Sequence, residues 1–350
     1  MSGEKRLMGK SLLLLAVFLL ITFFSAAQMA EAETVRTMYL KQESFSYMYK
    51  NVNYEYVNGV FGEGEKVKIY GEKETGKDGD KKITFYKTKL FGKYAYIPAE
   101  LLTSKKPKYS YRITHDFQCL QFSGPVKVYD APYFSSGSRL YEGKSIYTLG
   151  MSRYWYKAYL DGKPCFIRKD DGQIEDVLES QFPKIIISED LFSGKKNIRK
   201  RLYYMFSMLP QDVCSIFIAE DLLLQVDKTL PKKEFEDRGA SGYALRSGGR
   251  YQVYIKEDEK PYILETSFFH EAGHILFYMA KKDGTGEVVL PDSWKMELSV
   301  LNLREYYHTK EEYIAELFEI YVKQPEHILE TAPDSFQFVR EVLLPGSSVS

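Results

Sequence analysis

The stretch FFHEAGHILF, residues 268–277, places His270 and His274 four residues apart, with Glu271 directly after the first. On an α-helix, positions i and i+4 share a face, so both imidazoles can reach one ion, and two neutral imidazole nitrogens suit Zn²⁺. Glu271, beside that face, can take a proton from the activated water, which is the division of labour in an HExxH hydrolase. A second stripe of Phe269, Ala272, Leu276 and Met279 has helical spacing and predicts a buried face on the same helix. The competing reading is a buried helix that happens to carry two structural imidazoles. Gly273 speaks against a routine helix, because glycine costs about 1 kcal/mol against alanine in a helix interior. Its presence predicts that another segment passes close by.

A catalytic zinc needs a third protein ligand and an open position for water. The segment EYYHTKEEYIAELFEIY, residues 305–321, supplies candidates. Glu312 and Glu316 are four apart and share a helical face, while Ile314, Leu317, Phe318 and Tyr321 can pack inward. One carboxylate would bind the metal and the other would hydrogen-bond a ligand histidine and fix its tautomer. His308 and His327 have no supporting spacing, so a carboxylate third ligand is preferred.

HEAGH, followed by EYIAE at 312–316 and then by APDSFQFV at 332–339, resembles the catalytic domain of anthrax lethal factor and the related secreted Pro-Pro endopeptidases. The resemblance covers about residues 180–345 and rests on the order of three motifs. It implies a zincin-type fold with Glu312 as third zinc ligand, Glu316 supporting a ligand from behind, and Glu271 as general base. It also implies a tyrosine shortly before the third ligand that stabilises the oxyanion. The position where that tyrosine is expected holds Glu305, followed by Tyr306 and Tyr307; Tyr307 is the preferred donor and Tyr306 the alternative. A preference for proline next to the scissile bond comes from the same resemblance.

The elements that must carry these residues follow from the rest of the chain. Lys5, Arg6 and Lys10 precede SLLLLAVFLLITFF and an Ala30-Glu31-Ala32 step, the pattern of a secretory leader over residues 1–32. Its apolar run is shorter than the roughly 20 residues a spanning helix needs. An uncleaved signal anchor is the alternative. The protein is therefore expected to be exported, extracellular or associated with the cell envelope, with no stable membrane span once the leader is removed. Beyond residue 32 the chain holds 45 basic and 46 acidic residues, a balance that predicts no nucleic-acid partner. About 318 residues remain, enough for two or three domains.

From Thr37 to about Arg168, tyrosine-rich and β-branched runs alternate with turns such as GKDGDKK and LDGKPC, which reads as short strands and hairpins. Two segments match in outline, GEGEKVKIYGE with TFYKTKLFGKYAYIPAELL, and VKVYDAPYFSSGSRLYEGKSIYTLG with YWYKAYLDGKPCFIRKD. The pattern resembles the bacterial SH3-like repeat, which implies contact with the cell wall. The expected organisation is α+β, with SH3-like β domains at 33–106 and 107–175 followed by the metallopeptidase domain at 176–345; a single larger β domain in place of the two modules is the alternative. Within the last, KKNIRKRLYYMFSML reads as a helix, SIFIAED as a strand, ELSVLNLREYY and EEYIAELFEIYV as helices. YQVYI alternates like a strand, and residues 251–256 are expected to pair with an extended protein or peptide substrate. Of the three cysteines, Cys119 and Cys165 are the expected pair for a disulfide within the second β domain; three free, buried thiols are the alternative, since cysteine is also a common core residue. The predicted function is a secreted zinc metalloendopeptidase. The alternatives are a non-catalytic envelope-binding or toxin-like protein, or an amidase acting on cell-wall peptides.

Overall fold

The computed structural model describes residues 35–344 apart from 42–43, 46–59, 79–80, 91–92, 113–116, 151–153, 180–182, 190, 192–194, 258–261, 283–287 and 304. The leader expected over residues 1–32 lies outside the described residues. Among those described, no helix is long and apolar enough to cross a membrane.

The architecture is α+β, with antiparallel sheets first and a mixed sheet with helices after them. The opening strands are β1 (Val35–Leu40), β2 (Ser44–Phe45), β3 (Val60–Phe61), β4 (Lys66–Asp78), β5 (Lys81–Leu90), β6 (Lys93–Pro98) and β7 (Leu102–Thr103). Five of them form a sheet in the order β6-β5-β4-β1-β7, and β2 pairs with β3. Leu40, Val67, Ile69, Ile97 and Leu102 make a small core of their own there.

The next seven strands are β8 (Phe117–Phe122), β9 (Val126–Tyr129), β10 (Ser138–Tyr141), β11 (Ser145–Gly150), β12 (Trp155–Leu160), β13 (Lys163–Arg168) and β14 (Ile174–Glu179). Their order is β10-β9-β13-β12-β11-β8-β14, so β14 carries this sheet past residue 175. The β12–β13 hairpin turns through Asp161 and Gly162, both at positive φ (55° and 70°), as a two-residue turn between right-twisted strands requires. Every residue of β12 is buried, because one face covers the sheet's own core and the other meets helices of the following domain. That is why WYKAYL does not alternate in polarity.

The expected Cys119–Cys165 disulfide is absent: Cys119, Cys165 and Cys214 are all buried free thiols. Cys119 lies on β8 and Cys165 on β13, with β11 and β12 between them in the sheet. A disulfide would need β8 and β13 to be neighbours, whereas β8 is flanked by β11 and β14. Burial pushes the Cys165 thiol up to about 12, which keeps it protonated and inert.

The remaining chain runs β15 (Lys184–Ile187), α1 (Lys195–Met208), α2 (Gln211–Ala219), β16 (Leu223–Asp227), α3 (Lys233–Asp237), β17 (Gly242–Ser247) and β18 (Arg250–Lys256). It continues through α4 (Tyr262–Lys282), α5 (Trp294–Val300), a 3-10 turn over Glu305–His308, α6 (Lys310–Lys323), α7 (Pro325–Thr331) and α8 (Pro333–Phe338). SIFIAED, read from sequence as a strand, is instead the end of α2. Pro210 starts that helix, and Val213, Cys214 and Phe217 bury at helical spacing; a short apolar run does not by itself separate the two periods. ELSVLNLREYY is helical only as far as Val300, where Asn302 at φ 53° breaks the helix. The sheet order is β15-β16-β18-β17, parallel except for β17, which joins β18 through Gly248 and Gly249, both at positive φ.

This domain and the seven-stranded sheet share one core, in which Phe117, Leu149 and Trp155 join Phe206 of α1 and Phe217 of α2. Polar pins hold the contact. The Gln211 side chain accepts from the Tyr147 backbone N–H at 2.6 Å and donates to the Tyr159 carbonyl at 3.1 Å, and the Tyr159 and Tyr204 hydroxyls lie 2.9 Å apart.

Candidate active site

The HExxH segment lies on α4, whose Leu264, Phe268, Phe269, Ala272, Ile275 and Leu276 are all buried. Burying each large apolar side chain stabilises by about 1.5–3 kcal/mol, so the helix is held by packing and its histidine face is held rigidly against its neighbour. Opposite lies α6, which buries Tyr313, Ile314, Leu317 and Phe318. Gly273 is the closest point of the crossing: a Cβ there would stand 2.7 Å from Ala315 Cα and 2.9 Å from its carbonyl oxygen. The missing side chain is what lets α6 approach, as the cost of that glycine predicted.

That approach brings Glu312 to the histidines. Its Oε2 lies 3.1 Å from His270 Nε2 and 3.6 Å from His274 Nε2. The imidazole rings are 4.8 Å apart and nearly perpendicular, at 86°. Behind them, Glu316 Oε2 is 3.5 Å from His270 Nδ1 and Glu311 Oε1 is 3.6 Å from His274 Nδ1. Burial disfavours a charged His270, yet the Glu312 and Glu316 carboxylates outweigh it and raise the imidazole to about 10. The reciprocal effect acts on Glu312, where burial is overcome by the two histidines and the carboxyl falls to about 2.

This donor set fits a zinc ion. His270, His274 and Glu312 offer ligand atoms that all lie within 4.8 Å of one another. Bonds of 2.0–2.2 Å in tetrahedral geometry would space ligands about 3.4 Å apart, between the observed 3.1 and 3.6 Å. A second grouping of His270, Glu316 and Glu319 is less suited, since the Glu319 carboxylate already holds Lys323 Nζ at 2.9 Å. His308 and His327 are exposed and outside both groups.

Glu271 points toward β17. It accepts a hydrogen bond from the Ala244 backbone N–H, while its buried Oε2 has no hydrogen-bond partner. Burial pushes its carboxyl up to about 7, against the pull of His274 and His270. A Cβ at Gly242 would lie 3.1 Å from both Glu271 Cγ and Oε1, so that glycine lets the strand lie against the carboxylate. Strand β18, expected from sequence to be the substrate platform over residues 251–256, is paired on both sides, by β16 and β17. Its backbone is fully used, and the open edge belongs to β17. The Lys256 N–H donates to the Ser241 carbonyl at 2.8 Å. Because bonded and non-bonded pairs alternate in an antiparallel ladder, Gly242, Ala244 and Arg246 turn their backbone groups away from β18.

The two tyrosines part company on the 3-10 turn. The exposed Tyr306 directs its hydroxyl to the Glu312 carboxylate. Tyr307 instead packs its ring on His270, with centroids 5.9 Å apart. Successive 3-10 residues point about 120° apart, so a one-residue difference decides which phenol faces the ligands.

Several supporting residues escaped the sequence reading. Thr309 caps α6 by accepting the Glu312 backbone N–H at 3.3 Å, a role that the T-K-E-E spacing could have disclosed. Buried Glu297 of α5 accepts the Asp334 and Ser335 backbone N–H groups at 3.0 and 2.9 Å, placing a carboxylate at the start of α8 as the helix dipole favours. The Ser335 hydroxyl also donates to Glu297 and lies 2.9 Å from the Tyr313 hydroxyl of α6. The APDSF motif thereby anchors the helix that carries Glu312.

No protein-family model matches this chain, and no curated protein matches it in sequence. Among solved structures, the chain is distantly similar to the Pro-Pro endopeptidase PPEP-2 from Paenibacillus alvei, at 13% identity and a TM-score of 0.32, over 44% of this chain and 94% of that one.

Proposed function

We propose that this chain is an exported zinc-dependent endopeptidase that hydrolyses peptide bonds in extended protein segments. The observation that carries the reading is convergence: two imidazole Nε2 atoms meet one Glu312 oxygen while Glu271 sits between them and an open sheet edge. Zinc would be held by His270, His274 and Glu312. When bound, it would supply Lewis-acid polarisation of the scissile carbonyl and a lowered pKa for the attacking water.

The remaining work belongs to the chain's own groups. Glu271 takes the proton of the attacking water and delivers it to the leaving amine nitrogen. Tyr306, whose hydroxyl already faces Glu312, donates to the oxyanion as charge develops there. Tyr307 braces the His270 ring. Glu316, 3.5 Å from His270 Nδ1, holds that imidazole's orientation. The substrate adds as a strand to the edge of β17, with main-chain pairing at Gly242, at Arg246 and at the Ala244 carbonyl, the Ala244 N–H being already engaged by Glu271. Such pairing is indifferent to sequence, so selectivity falls to side chains near the scissile bond, where the resemblance to the Pro-Pro endopeptidases implies proline. The two β domains, the second extending through β14, are read as SH3-like modules that bring the enzyme to the cell wall.

The test is Glu271→Ala in the purified mature chain, assayed with an unbiased peptide library beside purified wall fragments. Zinc content and fold should persist while turnover drops by 10²–10⁴-fold. Undiminished turnover would remove Glu271 from the mechanism, and cleavage confined to wall fragments would make the protein an amidase.

A further inference from the structure

We propose that Glu311, held in place by Tyr278, is the positioning carboxylate for His274. The inference rests on the metal site proposed above and adds a residue pair to it.

Both imidazoles turn Nε2 toward Glu312, so each Nδ1 faces away from the shared centre. An imidazole that coordinates through Nε2 carries its proton on Nδ1, and the partner of that N–H sets the ring's tautomer and rotation. His270 Nδ1 faces Glu316 Oε2 at 3.5 Å. His274 Nδ1 is buried without a hydrogen-bond partner, and the carboxylate facing it is Glu311, at 3.6 Å. A buried polar group left unsatisfied is unfavourable and favours capture of a nearby acceptor. A closure of about 0.6 Å would bring the pair to ordinary hydrogen-bond length.

Tyr278 is what makes Glu311 more than a helix-end charge. It lies one turn beyond His274 on α4, its ring stacked nearly parallel to the imidazole, at 19° with centroids 6.3 Å apart. Its hydroxyl donates to Glu311 Oε1 at 2.7 Å, the same oxygen that faces His274. A first-turn glutamate with 39% of its side chain exposed could extend into water, yet this one is tied back across the α4–α6 crossing. Glu311 and Glu312 thus divide the two ends of the His274 ring, the first meeting Nδ1 and the second Nε2.

The experiment measures zinc dissociation constants by chelator competition on the full mature chain, with metal-free melting temperature as a control for folding. Glu311→Ala should weaken zinc binding by about 10–100-fold, with the metal-free melting temperature nearly unchanged. Glu311→Gln, which keeps an acceptor, should recover part of the loss. Tyr278→Phe should weaken binding about fivefold, the worth of one hydrogen bond. The double variant Tyr278→Phe/Glu311→Ala should bind no worse than Glu311→Ala alone, because Tyr278 acts through Glu311. If the wild type binds zinc and Glu311→Ala stays within twofold of it, or if the two losses add, the positioning role is overturned while the metal site stands. If the wild type binds no zinc, the metal site falls and this role with it.

Discussion

Gly273→Ala tests the packing that assembles the site. Alanine is the better helix former by about 1 kcal/mol, so on propensity alone the substitution should stabilise α4. The added Cβ, however, would sit 2.7 Å from Ala315 Cα, 2.9 Å from Ala315 O and 3.1 Å from Phe318 Cβ. Two of these are backbone atoms of α6 and cannot rotate aside. Restoring an ordinary contact of 3.4 Å requires α6 to retreat by about 0.7 Å. Overpacking of this kind typically costs 1–3 kcal/mol, which outweighs the propensity gain and leaves a net loss of up to about 2 kcal/mol. The larger consequence is for zinc, because the displaced helix carries Glu312 while α4 carries both histidines. Urea denaturation of the metal-free protein should show a lower midpoint with an unchanged slope, and chelator competition should show zinc binding at least tenfold weaker. A stabilised variant with wild-type zinc affinity would mean that α4 and α6 do not touch at this glycine.

Three further outcomes follow from individual groups. Burial raises the Glu265 carboxyl from 4.5 to about 7, despite the opposite charge of Arg201, so the folded state holds a proton the unfolded chain has lost. Its contribution is therefore most favourable below about 4.5 and fades as pH rises through about 7; chemical denaturation should show wild type losing roughly 3 kcal/mol relative to Glu265→Gln between about pH 4 and about pH 8, and a flat difference would contradict it. Tyr306→Phe should lower kcat with little change in KM, as for a contact made only in the transition state, whereas a larger kcat loss in Tyr307→Phe would reverse their roles. Arg246→Pro removes an outward donor of β17 without touching the β17–β18 ladder, and should raise KM while zinc content holds; an unchanged KM would exclude that edge as the substrate platform.

What was legible in the sequence were the local periodicities. The i, i+4 histidines needed only the helical repeat, and Gly273 announced a close neighbour because its cost had no other explanation. What was not legible depended on which elements become neighbours. The alternation of YQVYI marks a strand, but its position between β16 and β17 is set by the crossover from β16 and by the Gly248-Gly249 turn. The open edge consequently moved one strand over, to residues 242–247. The cysteine pairing failed for the same reason, since strand order separates two residues that share a domain. The choice between Tyr306 and Tyr307 hung on a 3-10 turn, where a single step in register turns one phenol to Glu312 and the other ring onto His270.

In the proposed site His270, His274 and Glu312 hold one zinc ion while Glu271 does not bind it. Metal analysis of the mature chain beside its His274→Ala, Glu312→Ala and Glu271→Ala variants tests this most directly. One zinc per chain should be found in the wild type and in Glu271→Ala, with little or none in the other two. Equal zinc in the wild type and in His274→Ala would contradict the account.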